Sequence, residues 1–169
     1  MARSCWKRLS IFRKEFLIPL LLALPSTANA QFTYTTNTAD DTLTITGFAG
    51  SDATIIIPSN IEGRTVTQIE DSAFKNMTNL TQVTLPNGLT NIGESAFFSC
   101  SNLIAIAIPN SVTFMGTFVF RSCVNLTNVA IGSGITNIPI QAFYICRRLS
   151  CITIPTNVTG IGNNAFDGC

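Results

Sequence analysis

Residues 80–102 read LTQVTLPNGLTNIGESAFFSCSN, and residues 103–125 read LIAIAIPNSVTFMGTFVFRSCVN. The two stretches match position by position at a spacing of 23 residues. A small residue followed by Phe marks the same point in five successive units: Ala73-Phe74, Ala96-Phe97, Val119-Phe120, Ala142-Phe143 and Ala165-Phe166. A fixed period of this length is typical of a solenoid, in which each repeat forms one coil that stacks on the next.

Other apolar columns repeat in phase with the Phe pair. They are Val66, Leu89, Val112, Ile135 and Val158; Ile69, Ile92, Met115, Ile138 and Ile161; and Met77, Cys100, Cys123, Cys146 and Cys169. One unit reads L-x-x-V-x-I-P-x-x-V-x-x-I-G-x-x-A-F-x-x-C-x-N. In its V-x-I step, side chains point alternately to opposite faces, as in a strand, so the two apolar ones share one face. The Pro that follows ends the strand because it has no N–H to donate to the hydrogen-bond ladder of a sheet. The later glycines, Gly93, Gly116 and Gly162, predict a turn with positive φ. About eight apolar side chains per unit can be buried only if coils stack.

This unit resembles the repeat of the BspA-like family of leucine-rich repeats, L-T-x-I-x-I-P-x-S-V-x-x-I-G-x-x-A-F-x-x-C. The resemblance covers about residues 55–169 and implies a repeat solenoid, mainly β, built as a leucine-rich repeat stack with parallel strands. It implies about four and a half units, the last incomplete. The first gap, from Pro58 to Pro86, is longer than the others, and family members often carry an I-x-G-x-x-V insert there. The insert residues here are Ile61, Gly63 and Val66. Three residues depart from the pattern: Gly132 replaces Pro, Pro139 replaces Gly, and Val119 replaces Ala.

Residues 1–30 have the pattern of a secretory signal peptide. Five Lys and Arg side chains precede an apolar stretch at 16–24, and Ala28-Asn29-Ala30 forms a small-x-small cleavage motif before Gln31. The alternative is an uncleaved membrane anchor. However, the stretch has about half of the roughly 20 residues that a spanning helix needs, and Pro19 interrupts it. We therefore expect export, cleavage after Ala30, a secreted or cell-surface location, and no stable membrane span afterwards.

The mature chain, residues 31–169, is weakly acidic. It carries five basic and eight acidic side chains, so its net charge is 5 − 8 = −3. A nucleic-acid binder would be expected to show a basic stripe, and we predict no nucleic-acid partner. In residues 31–54, apolar and polar side chains alternate on both sides of a turn-rich segment at 37–41. This pattern predicts an N-terminal β-hairpin that caps the first coil.

The sequence stops at Cys169, in the middle of a repeat unit. It could be a fragment, a shortened gene product, or a chain whose last coil pairs with something else, and truncation is the interpretation that we favour. An uncapped last coil would expose apolar side chains and unpaired backbone groups. Self-association through this C-terminal end is therefore a further expectation.

Five cysteines follow the predicted cleavage site, and four of them share one repeat column. Functional interpretations of this column are a metal site, a thiol nucleophile or a chain of disulfides. Metal ligands converge on one point, whereas cysteines 23 residues apart form a line. A buried column of small side chains explains the pattern better. Cys151 lies outside the column, where we expect it to face outward as a free thiol or to pair with Cys146.

The sequence offers little for catalysis. It contains no His, which removes the usual general base and the commonest metal ligand. The adjacent acids Asp40-Asp41 and Glu70-Asp71 fall in predicted solvated turns, and no phosphate-binding or EF-hand motif occurs. We expect no enzyme activity, no cofactor and no metal. Asn79, Asn102 and Asn125 recur at one turn, either as ligand-binding groups or, in the better interpretation, as inward amides that satisfy the backbone of neighbouring coils.

Two surfaces are candidates for recognising a partner. The predicted strand face carries small outward side chains, among them Thr84, Asn128 and Thr153. The return path carries large outward ones at positions where other units have smaller or charged residues: Phe98, Phe118, Tyr144 and Ile145. An exposed apolar patch often marks an interface. The alternative is that these residues pack locally against neighbouring coils.

The resemblance implies a secreted or surface-exposed adhesion protein. In this interpretation the solenoid is a non-catalytic protein-binding scaffold, and its partner is a protein or an extracellular polymer; this is an inference from the fold alone. One alternative is a structural spacer module of a larger cell-envelope protein. A carbohydrate-active enzyme is a weaker alternative, because it would need converging carboxylates that the outward strand columns lack.

Overall fold

The structure is a computed structural model that describes residues 31–169, so the predicted signal peptide at 1–30 lies outside the described residues. Within this range the chain forms a mainly β solenoid with parallel strands and no α-helix, which confirms the predicted fold. In chain order the strands are β1 (Phe32–Asn37), β2 (Thr42–Phe48), β3 (Thr54–Ile56), β4 (Asn60–Ile61), β5 (Arg64–Ile69), β6 (Gln82–Thr84), β7 (Asn91–Ile92), β8 (Ala105–Ala107), β9 (Phe114–Met115), β10 (Asn128–Ala130), β11 (Asn137–Ile138), β12 (Cys151–Thr153) and β13 (Gly160–Ile161).

One strand from each of five coils forms the front sheet, in the order β12-β10-β8-β6-β3. Neighbouring strands are parallel and paired one repeat apart, as in Asn128 with Ala105. In β6, β8 and β10 the middle residue is buried and its two neighbours are exposed. This is the alternation that the V-x-I step predicts, and it leaves two outward columns of side chains on the sheet.

A second sheet, the side sheet, joins β1, β2, β5, β7 and β9, with β4 paired to β5. Its ladder stops at β9, and β11 and β13 form a separate pair. In the regular coils the backbone N–H of Gly93 donates to Ile69, and that of Gly116 donates to Ile92, at 2.9 and 2.8 Å. Pro139 occupies the equivalent position and has no N–H to donate. The replacement of Gly by Pro at this position therefore explains where the sheet divides.

The N-terminal hairpin continues the solenoid at its first coil. Strands β1 and β2 are antiparallel, and β2 then pairs in parallel with β5. Leu43 and Ile45 on β2 are fully buried against the first coil. The extra residues after Pro58 form a small second hairpin, β4 with β5, whose two-residue turn places Glu62 and Gly63 at φ 52° and 84°. Two left-handed residues in succession are the signature of a type I′ turn.

The core follows the predicted columns. Each of two complete coils buries eight apolar side chains: Leu80, Val83, Leu85, Leu89, Ile92, Ala96, Phe97 and Cys100 in one, and Leu103, Ile106, Ile108, Val112, Met115, Val119, Phe120 and Cys123 in the next. The Phe column forms a continuous stack, with ring centroids 5.1–5.5 Å apart and nearly parallel planes. In the final coil Ile154 and Ile161 are exposed and Phe166 is half-buried.

The expected role of the repeat glycines is wrong. Among the glycines of residues 31–169 only Gly63 and Gly168 have positive φ, so Gly93, Gly116 and Gly162 are not there for a left-handed turn. They are needed because the preceding coil passes very close. A Cβ on Gly116 would lie 2.4 Å from the backbone nitrogen of Glu94. Left-handed residues do occur in every coil, but at other positions.

Candidate functional site

The turn ridge consists of the five turns that carry an Ala-Phe or Val-Phe pair, residues 70–77, 93–100, 116–123, 139–146 and 162–169. In each of the first four segments overlapping β-turns put two non-glycine residues in the left-handed region. The first column is Ser72, Ser95, Phe118, Gln141 and Asn164, and the second is Asn76, Ser99, Ser122, Ile145 and Gly168. Large or β-branched residues rarely adopt this conformation. Phe118 and Ile145, both predicted surface residues, therefore sit in strained backbone positions.

Coil-to-coil hydrogen bonds hold the ridge rigid. In the third coil the N–H groups of Phe118, Phe120 and Ser122 donate to carbonyls of the fourth coil at 3.1, 2.9 and 2.8 Å. Equivalent bonds connect the other coils at the same positions. The backbone donors of the ridge are thus used inside the stack, and recognition at this surface has to come from side chains.

One column of the ridge alternates cations and aromatic rings over its first four members. It consists of Lys75, Phe98, Arg121, Tyr144 and Asp167. The Arg121 guanidinium carbon lies 4.8 Å from the ring centroid of Tyr144, 5.8 Å from that of Phe98, and 5.7 Å from that of Phe118 in the neighbouring column. The Lys75 ammonium lies 5.2 Å from the Phe98 ring. These distances are within the range of cation–π attraction.

Arg121 is the centre of this cluster, and its charge has no acidic partner in the part of the chain that the structure describes. One of its terminal nitrogens donates to the side-chain oxygen of Gln141. Its Nε is buried without a hydrogen-bond partner among the described residues. The single ion pair within 31–169 joins Arg64 to Asp41 at 2.7 Å, at the far end of the solenoid. The cluster is therefore an uncompensated positive site bordered by three rings.

The structure brings three of the four predicted ridge residues together and sets the fourth apart. Phe98, Phe118 and Tyr144 are half-buried around Arg121. Ile145 is also half-buried, but its side chain lies beside Gly168 of the next coil. Arg121, which joins the three rings into one surface, is not among the residues predicted from the sequence.

The second predicted surface, on the front sheet, is a shallow groove of about 370 Å³. Thr84 and Asn128 line it together with Ala105, Ala107 and Ala130. Thr153 is exposed on the neighbouring strand but is not part of the groove lining. Small side chains leave this face with few groups for specific recognition.

A third surface, the corner groove, lies where each coil passes from the turn ridge to the front sheet. Its volume is about 270 Å³, and it is lined by Thr81, Asn102, Ile104, Asn125, Thr127 and Arg148. The recurrent asparagines were expected to point inward, and this expectation is wrong for Asn79 and Asn102, which are exposed. They do bond to the preceding coil as predicted: Asn102 Nδ2 donates to the Thr78 carbonyl at 2.7 Å.

The cysteine column is a set of buried thiols. Cys100, Cys123 and Cys146 are fully buried, and each Sγ donates to a Phe carbonyl of the preceding coil at 3.1–3.2 Å. Burial raises the pKa of Cys100 and of Cys146 to about 12, and raises that of Cys123 well above its usual range. Cys169 makes the same bond but is exposed, and all five cysteines are free. Cys151 is exposed on its strand, as expected.

Alkylation should therefore distinguish Cys151 from the three buried thiols. At pH 8 we expect iodoacetamide to label Cys151 first, because its thiol is exposed, whereas burial shields the other three thiols and raises their pKa. Cys100, Cys123 and Cys146 should become labelled only in denaturant. Peptide mass spectrometry after timed labelling measures this order, and fast native labelling of the buried three would contradict the packing described above.

Several acidic residues have structural partners. Asp41 pairs with Arg64, Asp40 accepts a hydrogen bond from the Thr42 hydroxyl, and Asp71 accepts one from the Glu94 backbone N–H. Within residues 31–169 no group of three or more His, Cys, Asp or Glu side chains is placed to hold a metal ion. The same residues contain no helix that is long and apolar enough to cross a membrane.

A family model described as a BspA type leucine rich repeat region matches residues 48–169 in six copies. The chain belongs to the BspA-type leucine-rich repeat family. This confirms the resemblance that the repeat unit shows. BspA-type repeats thus account for the coils from the end of the N-terminal hairpin onward. No curated protein matches the chain.

Solved structures of bacterial leucine-rich repeat proteins are similar to this BspA-type chain. A T. pallidum leucine-rich repeat protein is 25% identical, with a TM-score of 0.54 over 83% of this chain and 87% of that one. A Bacteroides capillosus leucine-rich repeat protein is 26% identical, with a TM-score of 0.47 over 78% and 83%. A leucine rich cell surface protein of Faecalibacterium prausnitzii is 24% identical, with a TM-score of 0.47 over 82% and 51%.

Proposed function

We propose that this protein is a secreted or cell-surface binding scaffold without catalytic activity, and that it adheres to an extracellular protein or polymer through its turn ridge. The observation that carries the proposal is the Arg121 cluster. Three aromatic rings gather around a cation that has no acidic partner within residues 31–169. The cluster stands on a rigid, hydrogen-bonded stack, so little order would have to be gained on binding.

The chemistry of the ridge supports recognition by contact. Aromatic and Arg side chains are the residue types that most often dominate the binding energy of interfaces. Phe98, Phe118 and Tyr144 lie outside the eight apolar columns of the core, so the repeat fold does not require rings at these positions. Membership of the BspA-type family supports a repeat scaffold, and the signal-peptide pattern supports export.

The test begins with the chain expressed from residue 1 in a host that exports proteins. The exported product should have the intact mass of residues 31–169. It should bind at least one of immobilised collagen, fibronectin or dextran. The variant Phe98→Ala/Tyr144→Ala should weaken that binding at least about tenfold, since each ring removed from a central contact typically costs more than 1 kcal/mol.

The matched control is Thr84→Ala/Asn128→Ala on the front sheet, which should bind as the parent chain does. Urea midpoints of both double variants show whether either has lost its fold. If binding follows the front-sheet variant instead, the ridge is the wrong surface. If the folded parent chain binds none of the three probes, a structural spacer becomes the better interpretation.

A further inference from the structure

Charge is distributed unevenly along the solenoid. Residues 31–94 carry two basic and seven acidic side chains, 2 − 7 = −5, whereas residues 95–169 carry three basic side chains and one acidic one, 3 − 1 = +2. The three basic residues of the second half are Arg121, Arg147 and Arg148, and Arg147 and Arg148 are exposed. None has a carboxylate within 4.0 Å among the described residues. This half of the stack therefore attracts anions although the mature chain is acidic.

Arg148 stands at the end of the corner groove, in a column that is otherwise asparagine. The column is Asn79, Asn102, Asn125 and Arg148. Each asparagine side chain bonds to the coil before it, and Asn125 Nδ2 donates to Asn102 Oδ1 at 3.1 Å. Arg148 replaces the next amide of this ladder by a cation. It makes no hydrogen bond to the other described residues, so its guanidinium remains available.

The groove retains hydrogen-bonding groups that the fold does not use. An amide has two N–H donors and an oxygen acceptor. The bonds within the ladder use one donor of Asn102 and one of Asn125, and leave the Asn125 oxygen without a donor from the described chain. The Thr127 hydroxyl donates to the Ile104 carbonyl at 3.0 Å and can still accept. Such groups recur at the coil spacing of about 4.8 Å.

One apolar side chain interrupts this polar lining. Ile104 takes the place that Thr81 and Thr127 hold in the adjacent coils, and it is 52% exposed. A single exposed Ile is ordinary on a surface. Here it lies between amides and hydroxyls that line the same groove. Amides, hydroxyls, a small apolar surface and one cation together match a hydroxyl-rich ligand that has an apolar face and carries a negative group.

An acidic peptide fits this groove less well. Peptides commonly bind through a free strand edge or through a pocket that takes an apolar anchor. The backbone N–H groups of Thr81, Ile104 and Thr127 already donate to the preceding coil. Ile104 is the single apolar side chain of the lining, so no apolar pocket is present there.

We infer that the corner groove binds an anionic polysaccharide, with sugar hydroxyls on the Asn and Thr side chains, an apolar sugar face over Ile104, and a sulfate or carboxylate group on Arg148. The corner groove is separate from the Arg121 cluster, so this inference goes beyond the proposed function and adds a second binding surface with its own ligand class. A planar guanidinium is well suited to such anionic groups because it can donate two parallel hydrogen bonds.

Titration with dextran sulfate, carboxymethyl-dextran, dextran and polyglutamate tests the inference on the exported chain. At low salt we expect one or both anionic dextrans to bind at least about tenfold more tightly than dextran, with affinity that falls as NaCl is added. Comparing the affinities for the two anionic dextrans shows whether the groove prefers a sulfate or a carboxylate group. Arg148→Asn should lower this affinity about tenfold, since charge-assisted hydrogen bonds are lost. Ile104→Thr should weaken binding without changing its dependence on salt.

Both substitutions restore residues that neighbouring coils carry, so the coil can accommodate them. Arg64→Ala removes a cation from the acidic half, away from both candidate surfaces, and should leave the affinity within about twofold. Equal binding of dextran, equal or tighter binding of polyglutamate, or an unchanged affinity in Arg148→Asn would each overturn the inference. Absence of anionic-dextran binding while collagen or fibronectin still binds would overturn it alone and leave the proposed function standing.

Discussion

Phe120→Ala should lower the free energy of unfolding by about 3–5 kcal/mol, the range for removal of a fully buried Phe ring. Phe120 has no exposed surface, and its ring lies between those of Phe97 and Phe143 at 5.4 and 5.5 Å. The neighbouring coils are joined by backbone hydrogen bonds on both sides, so they can collapse little into the space left by the ring. The loss should appear as a lower urea midpoint in equilibrium unfolding.

Phe118→Ala is the matched control, because it removes the same ring two residues away. Phe118 is half-buried on the turn ridge, and its backbone is left-handed at φ 59°. Its truncation should cost well under 3 kcal/mol, since surface changes seldom have large effects. Equal midpoints for the two variants would mean that the Phe120 stack is not the main apolar contact of these coils.

The buried columns could be predicted from the sequence because every coil repeats the same residue at the same depth. Phe120 and Val112 are buried in the structure as their columns predict. A single coil would have left these assignments ambiguous. Five coils in phase remove the ambiguity, since a shift by one residue would move every apolar column to the surface.

The role of the repeat glycines could not be predicted in the same way. A recurrent glycine can mean positive φ or close approach of another segment, and both give the same letter in the sequence. Gly116 belongs to the second kind, because the preceding coil lies against it. The left-handed positions are held instead by residues such as Ser95 and Ile145, which carry no sequence signal of a left-handed turn.

The ridge cluster was only partly predictable. Phe98, Phe118 and Tyr144 could be recognised as large residues at outward positions. Arg121 was counted only as one of the mature chain's basic residues, although it occupies the same column as Phe98 and Tyr144. The alternation of cation and ring down that column is a signal that sequence analysis could have used. The prediction that the asparagines point inward was wrong because the Leu that follows each one is the residue that points into the core.

Gly116→Ala should also destabilise the fold strongly, by about 3 kcal/mol, at the upper end of the usual cost of overpacking. The added Cβ would lie 2.4 Å from the Glu94 nitrogen and 2.6 Å from the Gly93 carbonyl carbon. These are backbone atoms of the adjacent coil and cannot rotate away as a side chain could. Urea unfolding of Gly116→Ala beside Gly88→Ala measures the effect. A Cβ on Gly88 would meet Thr65 at an ordinary 3.4 Å, so that control should change stability by no more than about 1 kcal/mol.

Proline at this position and an added Cβ disturb the side sheet for different reasons. Pro139 occupies the same position one coil later, and the side sheet divides there. That division follows from the missing N–H of proline, whereas Gly116→Ala keeps its N–H and should open the ladder between β7 and β9 because its Cβ pushes the preceding coil away. The Phe stack on the other side of the coil should stay closed. Hydrogen exchange resolves the two sides. The amide of residue 116, which donates to Ile92, should exchange faster in the variant, whereas the amide of Phe120 should keep its protection. Uniform loss of protection would instead mean that the coil unfolds as one unit.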